Sequence, residues 1–493
     1  MDVNLNLTWL KPSDITALEY GDRTVSYRQL LELVDTYSQV LLDTGCQRVG
    51  LYGDNSFDWL IADLAALKAG ITLVPLPMFF SNDQILHSVE SAELELIISI
   101  ADARVSGLVN VTRQQTFGPY DFAFTGRSNV TALNGTHKVT YTSGSTGRPK
   151  GVCLSESAMV SVASSLASIV PKRNGGRHVC LIPFSTLLEN VAGVYSALMN
   201  QFTVVVPPQA DVGLSGSSRL QIDKMYQAIL DSRATTAIMT PQLLQALVFY
   251  MSQNDLALPD LEFLAVGGSI LAQQTFKQAQ ALGLPVYEGY GLSETSSVVC
   301  CNRPGAQRDG SIGKPLPHAS VKISDDGEIL VTGATFNGYL GLDETVDEDG
   351  YWASGDLGRI DEDGFVYITG RKKNLIISSF GRNIAPEWVE AELTTDPSIM
   401  QAAVFGDGQA FLSAVIFSMN HEQAQAAVNR INARLPDYAQ VNRIVFSPYP
   451  FSVENGLFTE NGRIKRYNIG EHFSKELALI YLNQESKEVA HEH

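Results

Sequence analysis

The sequence is poor in the residues that announce metal, disulfide or redox chemistry. Its five cysteines (Cys46, Cys153, Cys180, Cys300 and Cys301) show no paired metal-ligand spacing, and their odd count argues against a disulfide framework. They read as reduced, mostly buried thiols; the adjacent Cys300 and Cys301 suit core packing better than redox work. The eight histidines include none at a recognisable catalytic spacing, and His421, His472, His491 and His493 read as surface positions. Positive charge is also scarce. With 35 Lys and Arg against 53 Asp and Glu the net charge is −18, which argues against broad nucleic-acid binding. Any anionic ligand must be held by a local basic cluster against the overall field. Long apolar runs are missing as well: Leu60–Phe80 is interrupted by Asp63 and Lys68 and punctuated by Gly70, Pro75 and Pro77, short of a bilayer span. The first residues lack the basic start and apolar core of a signal peptide, so the expectation is a cytoplasmic protein.

What is present is a folded-protein composition, 45% hydrophobic and 18% charged, in a chain of 493 residues. That is too long for one ordinary core, so two or more domains are expected. Helix-period and strand-like segments alternate: a helix over Val25–Leu42 stopped by Gly45, a strand at Val49–Tyr52, a helix at Phe57–Lys68, a strand at Ile71–Pro75, a helix at Asn82–Ser91 and a strand at Leu94–Ile100. The alternation resumes with strands at Val179–Pro183, Thr203–Val206, Thr236–Met239, Phe263–Val266 and Val286–Tyr287, separated by helices that include Leu187–Asn200, Pro241–Met251 and Ala272–Leu282. Such a pattern predicts α/β layers around parallel sheets, with ligands at strand ends. From Gly310 short apolar pieces alternate with Gly and Asp turns, predicting a β-rich subdomain (Val321–Ile323, Glu328–Val331, Gly358–Asp361 and Phe365–Thr369). After Arg371 a new α+β pattern begins, with a helix at Pro386–Leu393, strands at Ala402–Phe405 and Leu412–Phe417, and a helix around Glu422–Leu435. The expected division is a large N-terminal domain, 1–372, and a small C-terminal one, 373–493, with a polar, frayed tail after Glu485.

The densest chemistry lies in Thr140–Val152, Thr-Tyr-Thr-Ser-Gly-Ser-Thr-Gly-Arg-Pro-Lys-Gly-Val. Glycines let backbone N–H groups approach phosphate oxygens, hydroxyls add donors, and Arg148 and Lys150 bring positive charge. No Gly-Lys-Ser/Thr stands at Walker A spacing. A mobile surface turn is the bland alternative, but apolar flanks and a proline-stiffened end favour a phosphate cradle. A second string, Tyr287-Glu288-Gly289-Tyr290-Gly291-Leu292-Ser293-Glu294-Thr295, places an aromatic between glycines, free to lie on a planar ring. Its Glu294 offers the hard oxygen that Mg²⁺ prefers beside phosphates. A third, Trp352-Ala353-Ser354-Gly355-Asp356-Leu357-Gly358, followed by Gly370-Arg371-Lys372-Lys373-Asn374, supplies an acceptor for ribose hydroxyls in Asp356 and a donor in Arg371. Taken singly, each reads as a glycine turn, a β-turn aspartate or a solvated basic cluster.

Together, in this order and over nearly the whole chain from Asp22–Tyr27 to Lys465-Arg466, they resemble the adenylate-forming superfamily of acyl- and aryl-CoA ligases, peptide-synthetase adenylation domains and beetle-type luciferases. Within it, Leu375–Pro386 and Glu454–Thr459 look most like the long-chain fatty acyl ligases. The resemblance implies that a carboxylate attacks the α-phosphate of Mg·ATP. A thiol, of CoA or the phosphopantetheine of a carrier protein, then displaces AMP. It further implies that Thr142, Ser143, Gly144, Ser145, Thr146, Gly147 and Lys150 enclose the outer phosphates, and that Gly267, Gly268 and Ser269 border the adenine and acyl sites. Tyr290, flanked by Glu288, Gly289 and Gly291, would stack on adenine and Thr295 lie near the α-phosphate. Glu294, with Thr142, would hold Mg²⁺, and Asp356 and Arg371 the ribose. The small domain would rotate between the two steps about Lys373, a device suited to chemistry whose second nucleophile enters a site the first step had to close.

Two departures stand out. The family's adenylation lysine falls where this chain has Arg463, within Gly462-Arg463-Ile464-Lys465-Arg466. Arginine keeps the charge but changes reach and donor geometry, so Arg463 acts, Lys465 substitutes, or adenylation is slow. Where many relatives place a histidine or aromatic gating the acyl pocket, this chain has Thr186, followed by Leu187; with Gly268 and Gly291 these would border the acid. The leading reading is an ATP-dependent ligase joining a medium or long aliphatic acid to CoA or a carrier protein. The alternatives are an adenylase for an aryl or specialised-metabolite acid, and a catalytically impaired nucleotide-binding member.

Overall fold

The computed structural model describes residues 7–100, 105–128, 130–142, 149–215, 219–342, 346–459 and 463–488. The larger part is built on two mixed sheets with parallel centres. One has nine strands, running in space Lys314–Pro315, Cys300–Cys301, Val286–Tyr290, Phe263–Val266, Thr236–Met239, Arg177–Val179, Thr203–Val205, Thr16–Tyr20 and Arg23–Ser26. The other has seven: Arg113–Phe117, Tyr120–Phe124, Leu96–Ile100, Arg48–Tyr52, Thr72–Leu76, Lys138–Thr142 and Lys150–Leu154. The central strands Arg48–Tyr52, Thr72–Leu76 and Leu96–Ile100 are buried along their whole length, as parallel strands covered on both faces must be.

Local signals explain most helices. Helix Tyr27–Thr44 starts in a reciprocal cap, Ser26 accepting from the Gln29 amide while Gln29 accepts from the Ser26 amide, and it stops at Gly45, whose φ of 73° suits glycine. Helix Phe57–Ala69 is buried nearly all round, from Trp59 through Leu67. A helix without a polar face has to lie inside a core, and this one does so at the cost of enclosing Asp63. Each of its large apolar side chains contributes about 2–3 kcal/mol by leaving water.

A four-stranded antiparallel sheet follows (Ala319–Ile323, Glu328–Gly333, Trp352–Ile360 and Val366–Arg371), packed on Tyr290, Val299 and Ile312. The C-terminal part has its own three-stranded sheet, Gln401–Phe405, Leu412–Phe417 and Val441–Ser447, and its own apolar clusters, including Val389, Leu393, Val404 and Ile416. The architecture is therefore the expected mixed α/β large domain with a β-rich subdomain and a small α+β C-terminal domain.

Several elements depart from sequence expectation. The predicted helix Leu187–Asn200 is a π-helix over Leu188–Tyr195 that becomes α-helical only at Ser196–Met199, because Glu189 and Asn190 are both drawn into buried polar contacts. The predicted strand Val179–Pro183 is only Arg177–Val179, since the Leu181 and Ile182 amides are taken by the Glu189 carboxylate. Of the tail expected to fray after Glu485, residues 486–488 continue the helix Ser474–Glu488, and 489–493, with His491 and His493, lie outside the described residues. The hairpins Thr16–Tyr20/Arg23–Ser26 and Arg113–Phe117/Tyr120–Phe124 carry no strong alternation and are set by pairing with neighbours. All five cysteines are free and buried.

Candidate active site

A cavity of about 2970 Å³ opens where strands of both large sheets, the β-rich subdomain and the C-terminal part converge. The strand-end positions predicted for ligands face it. From the phosphate-loop side come Thr142 and Lys150, antiparallel partners at the ends of strands Lys138–Thr142 and Lys150–Leu154. Ser143, Gly144, Ser145, Thr146, Gly147 and Arg148, and also Gly462, lie outside the described residues. The Lys150 ammonium stands 4.6 Å from the centre of the Tyr339 ring, and the Tyr339 hydroxyl donates to Glu294 Oε1 at 2.6 Å. Tyr339 was not foreseen. It arrives because Leu340 N–H donates to the Gly151 carbonyl and Cys153 N–H to the Gly338 carbonyl, which lays this segment along strand Lys150–Leu154. Nothing in the local sequence signals that contact.

The second string forms the floor. Gly289 and Tyr290 end strand Val286–Tyr290, which runs three residues beyond the predicted Tyr287. Gly291 has no alternative: a Cβ there would stand 1.5 Å from the Ser297 carbonyl oxygen. Glu288 lines the cavity, and burial pushes its carboxyl up to about 8 despite a hydrogen bond from the Leu271 amide. Thr295, expected near the α-phosphate, is 2% exposed and closes a turn instead, accepting from the Leu292 N–H at 3.1 Å and donating to the Leu292 carbonyl at 3.0 Å. From the same string it is Ser293 and Glu294 that line the cavity, joined by Ser297 just beyond it. The physical reason is the left-handed Ser296 that follows, which turns the chain so that Thr295 points inward.

Asp356 and Arg371 are cross-strand partners in the antiparallel pair Trp352–Ile360/Val366–Arg371. Arg371 Nε donates to Asp356 Oδ1 at 2.8 Å, and the Tyr290 hydroxyl donates to Asp356 Oδ2 at 2.7 Å. Burial first, then the Asp356 charge, keeps the Tyr290 phenol far above its ordinary pKa, so it acts only as a donor or neutral face. Gly267, Gly268 and Ser269 follow strand Phe263–Val266; Ser269 is held to Gln242 at 3.2 Å. Thr186 and Leu187 border the cavity in a turn where the Thr186 hydroxyl donates to the Pro183 carbonyl at 2.7 Å.

From the C-terminal part Arg463 reaches across, Nη2 donating to the Gly268 carbonyl at 2.7 Å. The enclosing walls and then the Arg371 guanidinium lower its pKa, while Asp356 and Glu294 oppose the shift. Lys465 also lines the cavity but makes no side-chain hydrogen bond or ion pair among the described residues. The loop carrying both is anchored by Arg466 on Glu390, with Arg466 Nη2 at 3.1 Å from Glu390 Oε2. Lys373 sits exposed in the turn after Arg371, where the Asn374 and Leu375 amides both donate to the Arg371 carbonyl. Sequence reading also missed buried polar groups behind the site. His178, Cys180 and Glu189 bring three potential ligand atoms within 4.8 Å of one another, although His178 Nε2 and Glu189 Oε1 are spent on each other at 2.8 Å.

Residues 8–342 match the family of AMP-binding enzymes, and residues 373–485 match the AMP-binding enzyme C-terminal domain. A long-chain-fatty-acid–CoA ligase of Mycobacterium bovis is 28% identical, covering 90% of this chain and 89% of that protein. An indoleacetate–CoA ligase of Aromatoleum aromaticum is 29% identical, over 79% of this chain and 82% of its own. Among solved structures, the o-succinylbenzoate coenzyme A synthetase of Bacillus subtilis in complex with ATP and magnesium ion has the same fold, with a TM-score of 0.75 at 21% identity, covering 94% of this chain and 98% of that one. With the family match spanning two thirds of its length, the chain is an AMP-binding enzyme, a member of the adenylate-forming superfamily.

Proposed function

We propose that this enzyme activates an aliphatic carboxylic acid by adenylation and passes the acyl group to the thiol of CoA. In the first step a carboxylate oxygen bonds to the α-phosphorus of ATP while the bond to the bridging oxygen breaks and pyrophosphate leaves. In the second, a thiolate adds to the acyl carbon and AMP departs with the electron pair. No covalent enzyme intermediate is needed; the protein's task is to place two anions together and stabilise the added charge.

The observation that carries this reading is the position of Arg463, brought from the C-terminal part to the Gly268 carbonyl beside the Asp356–Arg371 pair and Glu294. In a chain of net charge −18, several cationic side chains line one cavity, Lys150, Arg371 and Arg463 among them. These three suit the phosphate, ribose and transition-state ends of one nucleotide. Tyr290 with Gly267 and Gly268 would receive the adenine. The donor set also fits magnesium: Glu294 offers a carboxylate oxygen beyond the one bonded to Tyr339, and Thr142 a hydroxyl, both hard ligands at the phosphate side. Bound there, the ion would supply neutralisation of phosphate charge.

An aliphatic acid is favoured by the apolar side chains on the cavity's lining, among them Leu166, Val170, Ala192, Ile238, Phe263 and Ala265. Small residues at Ala265 and Gly289 leave the strand ends open to it, and Thr186 leaves its entrance uncrowded. ATP–pyrophosphate exchange over a panel of straight-chain and aromatic acids, followed by thioester assay with CoA, tests the proposal. Exchange is expected with medium or long straight-chain acids. Exchange with aromatic acids alone would overturn the substrate class, and none with any acid would overturn the activity.

A further inference from the structure

Directly behind Thr186 and Leu187, the π-helix Leu188–Tyr195 carries two successive buried polar residues, Glu189 and Asn190, 0% and 1% exposed. They are held in different directions. Glu189 faces the nine-stranded sheet: Oε1 pairs with His178 Nε2 at 2.8 Å, and Oε2 accepts the Leu181 and Ile182 amides at 3.0 and 3.1 Å. These amides begin the segment that ends at Thr186. Asn190 faces the other sheet. Its Nδ2 donates to Asp63 Oδ2 at 2.9 Å, and its Oδ1 accepts from Lys138 Nζ. Lys138 pairs with Asp63 at 2.8 Å, and the Tyr195 hydroxyl donates to Asp63 at 2.7 Å. Lys138 opens the five-residue strand that closes with Thr142, at the mouth of the phosphate loop.

A salt bridge with both partners at most 2% exposed is an inefficient way to stabilise a core, because apolar side chains of similar volume would serve as well or better. Unlike apolar packing it is directional: it ties helix Phe57–Ala69 to the strand Lys138–Thr142, and Asn190, bonded to both partners, brings in the π-helix behind Thr186 and Leu187. Resting on the adenylation proposed above, we propose that Asn190, through Asp63 and Lys138, is a positioning residue. It fixes the phosphate-loop strand relative to the Pro183–Leu187 segment, and so sets the separation of the acid from the α-phosphate. The π-helical geometry fits this reading, since such segments are rare and recur at functional sites.

The test compares native enzyme with two variants in ATP–pyrophosphate exchange at 20 °C, with thermal unfolding measured in parallel. In N190A, read well below its unfolding temperature, exchange kcat should fall at least tenfold while KM for ATP and for the acid each move less than threefold. In the apolar replacement D63L/K138M/N190L/Y195F, the melting temperature should stay near or above native while kcat remains depressed. Native kcat in either folded variant, or a loss seen only as raised KM, overturns the positioning role. Absence of exchange in the native protein would count against the proposed function itself, whereas loss confined to the variants bears on Asn190.

Discussion

At the scale of single residues, the site is decided by reach and by room. Arg463 touches the Gly268 carbonyl, whereas Lys465 lines the same cavity without a side-chain hydrogen bond or ion pair among the described residues. Arg463→Ala is therefore expected to slow exchange by about 10²–10³-fold, the usual cost of one lost charge-stabilising donor, and Lys465→Ala by only a few-fold. The reverse ranking would transfer the role to Lys465. Gly291→Ala drives a methyl to 1.5 Å from the Ser297 oxygen, so the Tyr290–Ser297 turn must move; a loss of about 10²-fold is expected from a displacement of that order. Glu288 yields a pH signature. Its pKa rises from 4.5 unfolded to about 8 folded, so the native state retains a proton that the unfolded chain releases in between. The stability tied to that proton is fully present below about pH 4.5 and is lost as pH rises through 8. Glu288→Gln should accordingly melt higher than native at pH 8.5 and show the smallest difference at pH 4.5.

At the scale of elements, the strongest local signals gave the most faithful boundaries. Strands Thr236–Met239 and Phe263–Val266 and helices Asn82–Ser91 and Pro386–Leu393 fall where periodicity, proline and caps place them. Helix Tyr27–Thr44 owes its start to the Ser26–Gln29 cap, and Ser26→Ala should cost about 1 kcal/mol, read as a lower denaturant midpoint for the large domain. Where boundaries differ, a distant polar group intervened. Glu189 takes amides that would have extended a strand, and Asn190 is held by an aspartate 127 residues away. Thr295 shows the same limit at the site itself: its place in the string suggests a ligand contact, and the turn at Ser296 withdraws it.

At the scale of the whole molecule, the C-terminal part meets the large domain, among the described residues, through few polar contacts, Arg463 on Gly268, Gln245 on Thr394 and Arg434 on Gln274 among them. Such a junction would suit the rotation between two steps that the resemblance implies. Lys373, exposed in the turn that links them, is the expected pivot. Lys373→Pro should leave pyrophosphate exchange within a few-fold and reduce thioester formation at least tenfold; equal loss of both would argue against rotation. The sequence alone determined the family, because the Gly/Ser/Thr-rich run before Lys150, the Tyr-Gly-x-Ser-Glu string and the Asp356/Arg371 pair are local and short. It also determined the α/β layering, because periodicity records which face each segment buries. Only the tertiary structure decided which residues share the cavity: Tyr339 beside Lys150 and Glu294, Arg463 on the Gly268 carbonyl with Lys465 in the same wall, Ser293 rather than Thr295, and the buried Asp63–Lys138–Asn190 group behind them. Those contacts join positions far apart in the chain, and a hydrogen bond across the core leaves no period, cap or turn in the sequence on either side.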